Sequence, residues 1–455
     1  MKDQVDTIAA QATPAGRGGV GIVRISGPMA LKISQEVLGK TITPRVATFG
    51  NFFDKDKQII DRGIALYFHA PQSLTGEDVV ELHGHGGQAV IRILLQRVLE
   101  LGARLAKPGE FTERAFFNNK IDLVQAEAVV DLVNAATHQA AQSAARSLSG
   151  EFSCEINKIK KLLIELRVKS EAAIDFIEED GVANIAEGAL GQDIEELLQK
   201  IGQLKKSAKQ GALLRDGIMV VIAGDTNAGK SSLLNCLCGQ EEAIVTDIPG
   251  TTRDVLKAWI QLDGVPINLL DTAGLRKDPG IIEAEGIRRA REEIKKADHI
   301  LFMIDAVANR ESPHREEYRK FLETIPEGKR LTILYNKIDL TGEEEKIVKQ
   351  EGVDCIYLSV KERKGIDLLR EHIKEKAGLC NVAGGVFSAR KRHLMALDLV
   401  EEYLGSAEED ALRQGRIELA CENIKKAQEA LGDIVGDFTT EDLLERIFSE
   451  FCIGK

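Results

Sequence analysis

The sequence has 455 residues, 44% of them hydrophobic, and a formal net charge of −12 at pH 7. A chain of this length exceeds one hydrophobic core, so we expect two or three domains. The acidic excess argues against a strong, sequence-independent grip on nucleic acid, which requires clustered Lys and Arg. Any contact with RNA must therefore be local, and the two best basic clusters are interpreted as solvated helix faces. They are Lys158, Lys160 and Lys161, and Arg390, Lys391, Arg392 with His393.

Neither the N-terminal sequence nor the apolar runs of the chain point to a membrane or to secretion. The N-terminal sequence MKDQVDTIAAQATPAG lacks the basic start and the apolar stretch of a signal peptide, and no apolar run is long enough to span a bilayer. The seven cysteines are not spaced as a zinc site or a disulfide framework, which indicates reduced thiols. We therefore expect a cytoplasmic protein without a membrane anchor.

Three kinds of pattern follow one another along the chain. Residues 1–118 alternate short apolar runs with Gly and Pro clusters, which predicts an α+β domain. Residues 119–216 and 379–455 carry apolar positions three and four apart, which predicts long helices. Residues 217–378 alternate apolar strands with helical segments, as in a parallel sheet. We expect a discontinuous all-α helical domain interrupted by an inserted α/β domain, with two separate helical domains as the alternative.

The segment GDTNAGKS, residues 224–231, has the context of a phosphate-binding P-loop. It follows the apolar run IMVVIA and opens the helical pattern SSLLNCL. In such a loop the backbone N–H groups surround the phosphates, Lys230 supplies a point charge, and Ser231 offers its hydroxyl to Mg²⁺. A tight structural turn is the alternative interpretation.

The tetrapeptide NKID, residues 336–339, predicts the base. An ionised Asp339 only accepts hydrogen bonds, which suits the two N–H donors on the edge of guanine, whereas adenine presents an acceptor there. The run SVK at 359–361 stands one strand further on. A surface turn is the alternative for NKID alone, but together with the P-loop it predicts GTP rather than ATP.

Two further segments fit a GTPase. DTAG, residues 271–274, ends an apolar run and would bring Asp271 to the metal and the Gly274 N–H to the γ-phosphate. Thr251 and Thr252 in GTTRD would supply the switch hydroxyl that completes the coordination of Mg²⁺.

The residue after DTAG is unusual for a GTPase. Many GTPases have a Gln there to orient the attacking water, but Leu275 cannot do so. Glu283 and Glu285 are candidates for this role, with exposed helix acids as the alternative. There is also no obvious arginine finger, and a monovalent cation bound by Asn227 would replace its charge. A bond that stabilises the loop is the alternative role for Asn227.

Segments outside the nucleotide motifs carry a family resemblance. GRGGVGIVRISGP, ELHGHGG, PGEFTERAF with NKIDLVQAEAV, GTTRD and CIGK together resemble the MnmE (TrmE) family of tRNA-modification GTPases over essentially the whole chain. The resemblance implies an N-terminal domain that forms a homodimer and binds 5-formyl- or methylene-tetrahydrofolate, a helical domain, and a G domain activated by pairing that depends on GTP and K⁺. It also implies an MnmG (GidA)-type FAD protein as partner in a heterotetramer or larger complex. The implied substrate is tRNA, which receives an aminomethyl or carboxymethylaminomethyl group at C5 of the wobble uridine.

The resemblance also assigns roles residue by residue. The folate contacts fall on Arg24, Glu81, Lys120 and Lys455, with Cys452 beside them. The Mg²⁺ ligands fall on Ser231 and Thr252, and the K⁺ ligands on Asn227, Thr246, Ile248 and Thr251. Glu283 matches the acid that orients water, and Asn227 is the second catalytic residue. The residues predicted to bind GTP are Asn227, Ala228, Gly229, Lys230, Ser231, Ser232, Thr246, Asp247, Ile248, Pro249, Gly250, Thr251, Thr252, Asp271, Thr272, Ala273, Gly274, Asn336, Lys337, Asp339 and Ser359.

One departure from the family's pattern lies inside the P-loop. Asp225 and Thr226 stand where the family usually has a basic residue and a Pro. An added carboxylate near the triphosphate predicts weakened binding of guanine nucleotides.

The alternative functions are a ribosome-assembly or translation-associated GTPase, which gives no reason for the N-terminal motifs and CIGK, and a GTP-sensing scaffold without catalysis.

Overall fold

The computed structural model describes residues 6–175, 182–224, 227–240, 257–262, 265–271, 294–311, 325, 329–377, 386–414, 416–437 and 440–454. The chain divides into two compact units. The first comprises Met1–Val130, Leu148–Leu197 and Leu399–Lys455, and the second comprises Asp131–Ser147 and Leu198–Asp398. The boundaries of the three predicted domains stay predictions.

The first unit contains a six-stranded sheet with the strand order β3-β4-β5-β2-β1-β6. Its strands are β1 (Ile8–Gln11), β2 (Gly18–Ser26), β3 (Thr48–Phe53), β4 (Ile59–Phe68), β5 (Val79–Gly86) and β6 (Arg104–Leu105). Neighbours are antiparallel except β1 and β6, which are parallel.

One face of this sheet is covered by helices α1 (Ala30–Leu38) and α2 (Gln88–Glu100). Val23 on β2 and Leu82 on β5 belong to the core that these helices bury. Because side chains alternate along a strand, Arg24 and Glu81 leave the sheet on the opposite face, which α1 and α2 do not cover and which we call the open face. This alternation therefore places the polar side chains of Arg24 and Glu81 on the same face of the sheet.

The helices in the two predicted helical segments have 9 to 35 residues, and one shorter helix, Glu110–Phe117, precedes them. Those before the second sheet are α3 (Glu110–Phe117), α4 (Leu123–Asn134), α5 (His138–Leu148), α6 (Glu151–Asp175) and α7 (Val182–Asp216). Those after it are α12 (Lys391–Gln414), α13 (Ile417–Val435) and α14 (Glu441–Ser449). On α13 the buried residues Ile417, Ala420, Ile424, Ala427 and Leu431 recur three and four apart. This stripe packs along α6, which explains the helical period of both segments.

The second unit contains a seven-stranded sheet with the order β12-β13-β11-β10-β7-β9-β8. The strands are β7 (Ile218–Gly224), β8 (Lys257–Leu262), β9 (Val265–Asp271), β10 (His299–Asp305), β11 (Arg330–Asn336), β12 (Lys346–Gln350) and β13 (Val353–Leu358). Helices α8 (Lys230–Gln240), α9 (Ala306–Glu311), α10 (Ile338–Thr341) and α11 (Ile366–Ala377) belong to the same α/β part.

The five predicted parallel strands are the central ones, β13, β11, β10, β7 and β9. The two edge strands, β8 and β12, are antiparallel and were not predicted. The β12 sequence KIVKQ is polar and exposed along most of its length, so it lacks the apolar run that marks the buried strands. Glu351 and Gly352 both have positive φ and form the two-residue turn that joins β12 to β13.

The predicted fold class is confirmed, with an α+β N-terminal part, an all-α part and an inserted α/β P-loop part.

The interpretation of Arg390, Lys391, Arg392 and His393 as a solvated helix face is wrong for two of these residues. Arg390 and His393 are buried rather than solvated, because Arg390 pairs with the buried carboxylate of Asp131 and its backbone N–H donates to His393 Nδ1. The other cluster lies on α6, where each lysine pairs with an acid: Lys158 with Glu155, Lys160 with Asp437, and Lys161 with Glu165. Arg390 and the three lysines of α6 are therefore each paired with an acid.

Six cysteines in the described ranges are free thiols: Cys154, Cys236, Cys238, Cys355, Cys421 and Cys452. Burial raises the pKa of the Cys355 thiol to about 11, so this side chain behaves as part of the core. Within the described residues, no helix combines the length and the apolar character needed to cross a bilayer.

Candidate functional site

The loop between β7 and α8 has the backbone of a phosphate-binding turn. Gly224 ends β7 with φ 128°, and a Cβ there would collide with the carbonyl oxygen of Met303. Asn227 and Gly229 also have positive φ, at 64° and 102°. Left-handed residues at these positions turn successive N–H groups toward one side, which is how such loops bind phosphate. Asp225 and Thr226 lie outside the described residues.

Lys230 opens α8 and is only 7% exposed. Its Nζ donates to the carbonyl oxygen of Gly224 at 2.9 Å, which holds the ammonium group against the loop. Because an ammonium group has three donors, it can contact a phosphate at the same time. Ser231 and Ser232 follow in the first turn of α8, where both are exposed. The predicted phosphate residues are therefore brought together at a helix N-terminus.

Asn336, at the end of β11, joins the P-loop to the base-binding loops. Its Nδ2 donates to the carbonyl oxygen of Ala228 at 2.7 Å, and its Oδ1 accepts from the backbone N–H of Val360 at 3.0 Å. The side chain is buried, and both of its polar ends are used. Asn336 therefore fixes the loops relative to each other, and its predicted contact with the nucleotide stays a prediction.

Asp339 is oriented by Ser359. The Ser359 hydroxyl donates to Asp339 Oδ1 at 2.6 Å and accepts from the Glu362 N–H at 3.2 Å. An ionised carboxylate has about four acceptor positions, so the oriented Asp339 keeps positions for the two N–H donors of guanine. This geometry agrees with the predicted preference for GTP.

Lys337 contacts a residue that the sequence did not single out. Its φ is 72°, and its Nζ donates to Asp305 Oδ2 at 2.6 Å. Burial alone would raise the pKa of Asp305, but the bonds from Lys337 and from the Val307 backbone lower it. Asp305 is the last residue of β10, next to β11, and an acid ending a central parallel strand was the available signal.

Many predicted residues lie outside the described ranges. They are Thr246, Asp247, Ile248, Pro249, Gly250, Thr251, Thr252, Thr272, Ala273, Gly274, Glu283 and Lys455, together with Leu275 and Glu285. The backbone of Asp271 is described as the end of β9, beside Ile222 of β7. The catalytic acid and the metal ligand sets therefore stay predictions, with Asn227 and Ser231 as their described members.

A second group of polar residues lies on the open face of the N-terminal sheet. Arg24 and Glu81 are directly opposite in register, and Arg24 Nε donates to Glu81 Oε1 at 2.9 Å. Arg24 Nη1 also donates to the carbonyl oxygen of Gly454 at 3.2 Å. The Arg24 guanidinium lies 5.7 Å from the centre of the Phe111 ring. We call Arg24, Glu81 and Gly454 the Arg24 cluster.

The chain at 452–454 is fixed beside this cluster. Ile453 forms a β-bridge with Pro108, and a Cβ on Gly454, whose φ is 97°, would collide with the carbonyl oxygen of Gln11. Cys452 is exposed, and its carbonyl oxygen accepts from the Gly109 N–H. Lys120 instead donates to the carbonyl oxygen of Pro71 at 2.9 Å. Among the described residues, no hydrogen bond or ion pair joins Lys120 to Arg24 or Glu81.

Comparisons with known proteins decide the family. A model described as "GTP-binding protein TrmE N-terminus" matches residues 7–120, and one described as "MnmE helical domain" matches residues 123–452. The tRNA modification GTPase MnmE of Actinobacillus pleuropneumoniae serotype 3 (strain JL03) is 49% identical over 451 residues, covering 99% of this chain and 100% of that protein. The chain belongs to the MnmE (TrmE) family.

A second MnmE relative agrees with this assignment. The tRNA modification GTPase MnmE of Histophilus somni (strain 129Pt) is 51% identical over 451 residues, covering 99% of each chain. Among solved structures, Era from Aquifex aeolicus is 24% identical and matches 41% of this chain and 66% of that one at a TM-score of 0.27, a likeness that adds nothing on function. This MnmE family member is therefore a GTP hydrolase with a P-loop.

Proposed function

We propose that this chain is a cytoplasmic tRNA modification GTPase. With an MnmG-type flavin protein, it adds an aminomethyl or carboxymethylaminomethyl group to C5 of the wobble uridine of certain tRNAs. Support comes from relatives of about half identity over nearly the whole chain, which are named tRNA modification GTPases. The single observation that carries the proposal is the likeness to relatives named tRNA modification GTPase MnmE over 99% of the chain, because a ribosome-assembly GTPase gives no reason for the matched N-terminal region.

The residues of the G domain fit GTP and its metal ions. Lys230 would contact the β- and γ-phosphates, and Asp339 would accept from guanine. Ser231 and Thr252 would hold Mg²⁺, which neutralises charge on the phosphates when it is bound. Asn227, exposed on a left-handed turn of the P-loop, has an amide oxygen of the kind that binds K⁺. Thr246, Ile248 and Thr251 would complete that site.

We further propose that K⁺ and GTP drive pairing of the G domains, and that Glu283 orients the attacking water. A turnover assay with Na⁺ in place of K⁺ tests the cation. A rate in Na⁺ equal to that in K⁺ would contradict it, and hydrolysis unaffected by Glu283→Ala would contradict the role of Glu283.

The Arg24 cluster fits a tetrahydrofolate donor, 5-formyl- or methylene-tetrahydrofolate, which supplies a one-carbon unit when bound. Glu81 offers acceptors to the N–H donors of a pterin, and Arg24 orients that carboxylate. Lys455, next to Gly454, and Lys120 would then serve the carboxylates of the donor's glutamate tail. Cys452 is exposed beside this region.

The open face of the N-terminal sheet supports a homodimer. Phe49 on β3 is 62% exposed, and Ile59 and Ile64 on β4 are 59% and 40% exposed. Neighbouring apolar side chains on an outer sheet face mark an interaction surface. We propose a second copy of this chain as the occupant. Phe49→Glu with Ile64→Glu should yield monomers in light scattering, whereas an unchanged mass for this variant would place the dimer contact elsewhere.

Mass spectrometry of wobble nucleosides tests the function directly. Cells that lack the chain should lose the modified uridine, and the wild-type chain should restore it. Asp339→Asn and Glu81→Gln should each fail to restore it, for the separate reasons of nucleotide and donor binding. Unchanged uridine modification in the deletion strain, especially with a ribosome assembly defect, would favour the alternative function.

A further inference from the structure

His83 belongs to the same polar group as Arg24 and Glu81. Glu81 and His83 are two residues apart on β5, so both side chains leave the sheet on the open face. His83 Nε2 lies 3.1 Å from Glu81 Oε2, while Arg24 Nε donates to the other oxygen, Oε1, at 2.9 Å. Each oxygen of the Glu81 carboxylate is thus held by its own donor.

The imidazole of His83 is committed to this carboxylate. Within the part of the chain that the structure describes, Glu81 is the one hydrogen-bond partner of the His83 side chain. The residues opposite His83 in register are Ile22 on β2 and Ile64 on β4, which have no polar side-chain atoms. To donate to Glu81, a neutral His83 must carry its hydrogen on Nε2. The sheet therefore selects one partner and one tautomer.

We infer that His83 is a positioning residue for the pterin of the one-carbon donor, acting through the carboxylate of Glu81. This inference rests on the proposed function of the Arg24 cluster. A carboxylate has about four acceptor positions. Arg24 and His83 occupy one on each oxygen and leave one on each. Two adjacent N–H donors on the pyrimidine edge of a reduced pterin match that remaining pair.

The benefit of the second donor is preorganisation. With only Arg24 in place, the Glu81 carboxylate could rotate about its last bond, and binding would have to fix it. With both oxygens held, that freedom is already lost in the folded protein, so less of the binding free energy is spent on ordering. The role of His83 is therefore to set affinity for the donor without contacting it.

Calorimetric titration of the full chain with 5-formyltetrahydrofolate tests this. His83→Leu should weaken binding at least about tenfold, or about 1.4 kcal/mol, as expected for losing a hydrogen bond to a charged group. His83→Gln, whose Nε2 can replace the imidazole Nε2, should bind within about threefold of wild type on the same scale. The matched control is His85→Leu on the same strand, because His85 is 73% exposed and pairs with Asp61. It should leave binding unchanged.

A double-mutant cycle separates positioning from a merely structural role. In a Glu81→Gln background, titrated at donor concentrations high enough to measure its weakened binding, His83→Leu should cause no further loss, because its effect passes through the lost carboxylate. Thermal unfolding shows whether each variant is folded, and His83→Gln keeps the test valid if His83→Leu is not. Equal binding by wild type and His83→Leu, failure of His83→Gln to retain affinity, or additive losses in the cycle would overturn the inference alone. No binding by wild type would instead overturn the proposed donor, and the inference with it.

Discussion

The side-chain amide of Asn336 donates to the backbone carbonyl of Ala228 at 2.7 Å, across 108 positions of sequence. The same side chain accepts from the Val360 N–H. One buried residue therefore connects the P-loop, the base-binding motif and the loop after β13. The nucleotide site is held together by this link as well as by the sheet beneath it.

Asn336→Ala should damage both nucleotide binding and stability. It leaves the Ala228 carbonyl and the Val360 N–H without their partner, and each buried polar group without a partner costs about 1–3 kcal/mol. We expect the unfolding free energy to fall by about 2–6 kcal/mol and GTP affinity to fall at least about a hundredfold. Chemical denaturation and titration with a fluorescent GTP analogue measure the two effects. Lys349→Ala, at an exposed site on β12, is the control, and wild-type stability of Asn336→Ala would contradict the role of the link.

Asp339→Asn should change the base that is preferred. The amide of Asn donates where the carboxylate accepted, so guanine loses two charge-assisted hydrogen bonds while xanthine presents a carbonyl instead. We expect GTP affinity to drop by about a hundredfold or more and XTP to bind better than GTP. Competition of the two nucleotides for the same fluorescent probe is the measurement. A variant that still prefers GTP would show that Asp339 does not contact the base.

The pair His299 and His372 should make the α/β part sensitive to acid. Both rings bond to the Thr332 hydroxyl at 2.8 Å inside the fold. Burial is the main cause that lowers the pKa of His299 from 6.5 to about 4. The charges of His372, Arg330 and Lys376 also lower this pKa, whereas that of Asp354 raises it. Since the unfolded state binds the proton first, stability is full above pH 6.5 and falls as the pH drops toward 4, by on the order of 3 kcal/mol.

A substitution of His299 separates its effect on the pH dependence of stability from that of the carboxylates. His299→Gln removes the titrating ring, so its unfolding free energy should decline less than that of wild type between pH 6.5 and pH 4. Denaturant titrations at several pH values provide the comparison. Parallel curves for the two proteins would show that His299 has the same pKa in the folded and the unfolded state.

Asp131→Ala should be among the most destabilising single changes. The buried Asp131 carboxylate accepts from Ser388 Oγ at 2.6 Å, from Arg215 Nε at 2.9 Å and from Arg390 Nη2 at 3.1 Å. Removing it takes away the buried carboxylate that Arg215 and Arg390 share, and breaking a buried ion pair costs about 3–5 kcal/mol. Asp367→Ala, which removes a surface pair with Arg370, should cost under about 1 kcal/mol. Similar melting temperatures for the two variants would contradict this difference.

Gly454→Ala should separate donor binding from GTP hydrolysis. The added Cβ would collide with the carbonyl of Gln11, and the positive φ of Gly454 disfavours alanine. The chain at 452–454 must then shift and release its contact with Arg24. We expect weaker binding of 5-formyltetrahydrofolate by about tenfold with unchanged GTP turnover. Gly405→Ala, where a Cβ meets no neighbour, is the control.

Much of the fold and of the nucleotide site could be predicted because their signals are local. The loop from Gly224 to Ser231 needs glycines and a lysine at fixed spacing, and the five central strands are continuous apolar runs since both sheet faces are buried. The stripe on α13 likewise follows from helical period alone. Edge strand β12 was not predicted, because it is solvated and carries little apolar pattern.

The sequence by itself determined which chemistry this chain holds, namely a P-loop, a guanine-specific acid and the motifs of its family. Only the tertiary structure decided which side chains act together. Arg24 meets Gly454 across 430 positions, His83 reaches Glu81, and Arg390 is withdrawn from solvent to pair with Asp131. Such partnerships depend on strand register and on burial, which are properties of distant segments brought together, so no local pattern can encode them.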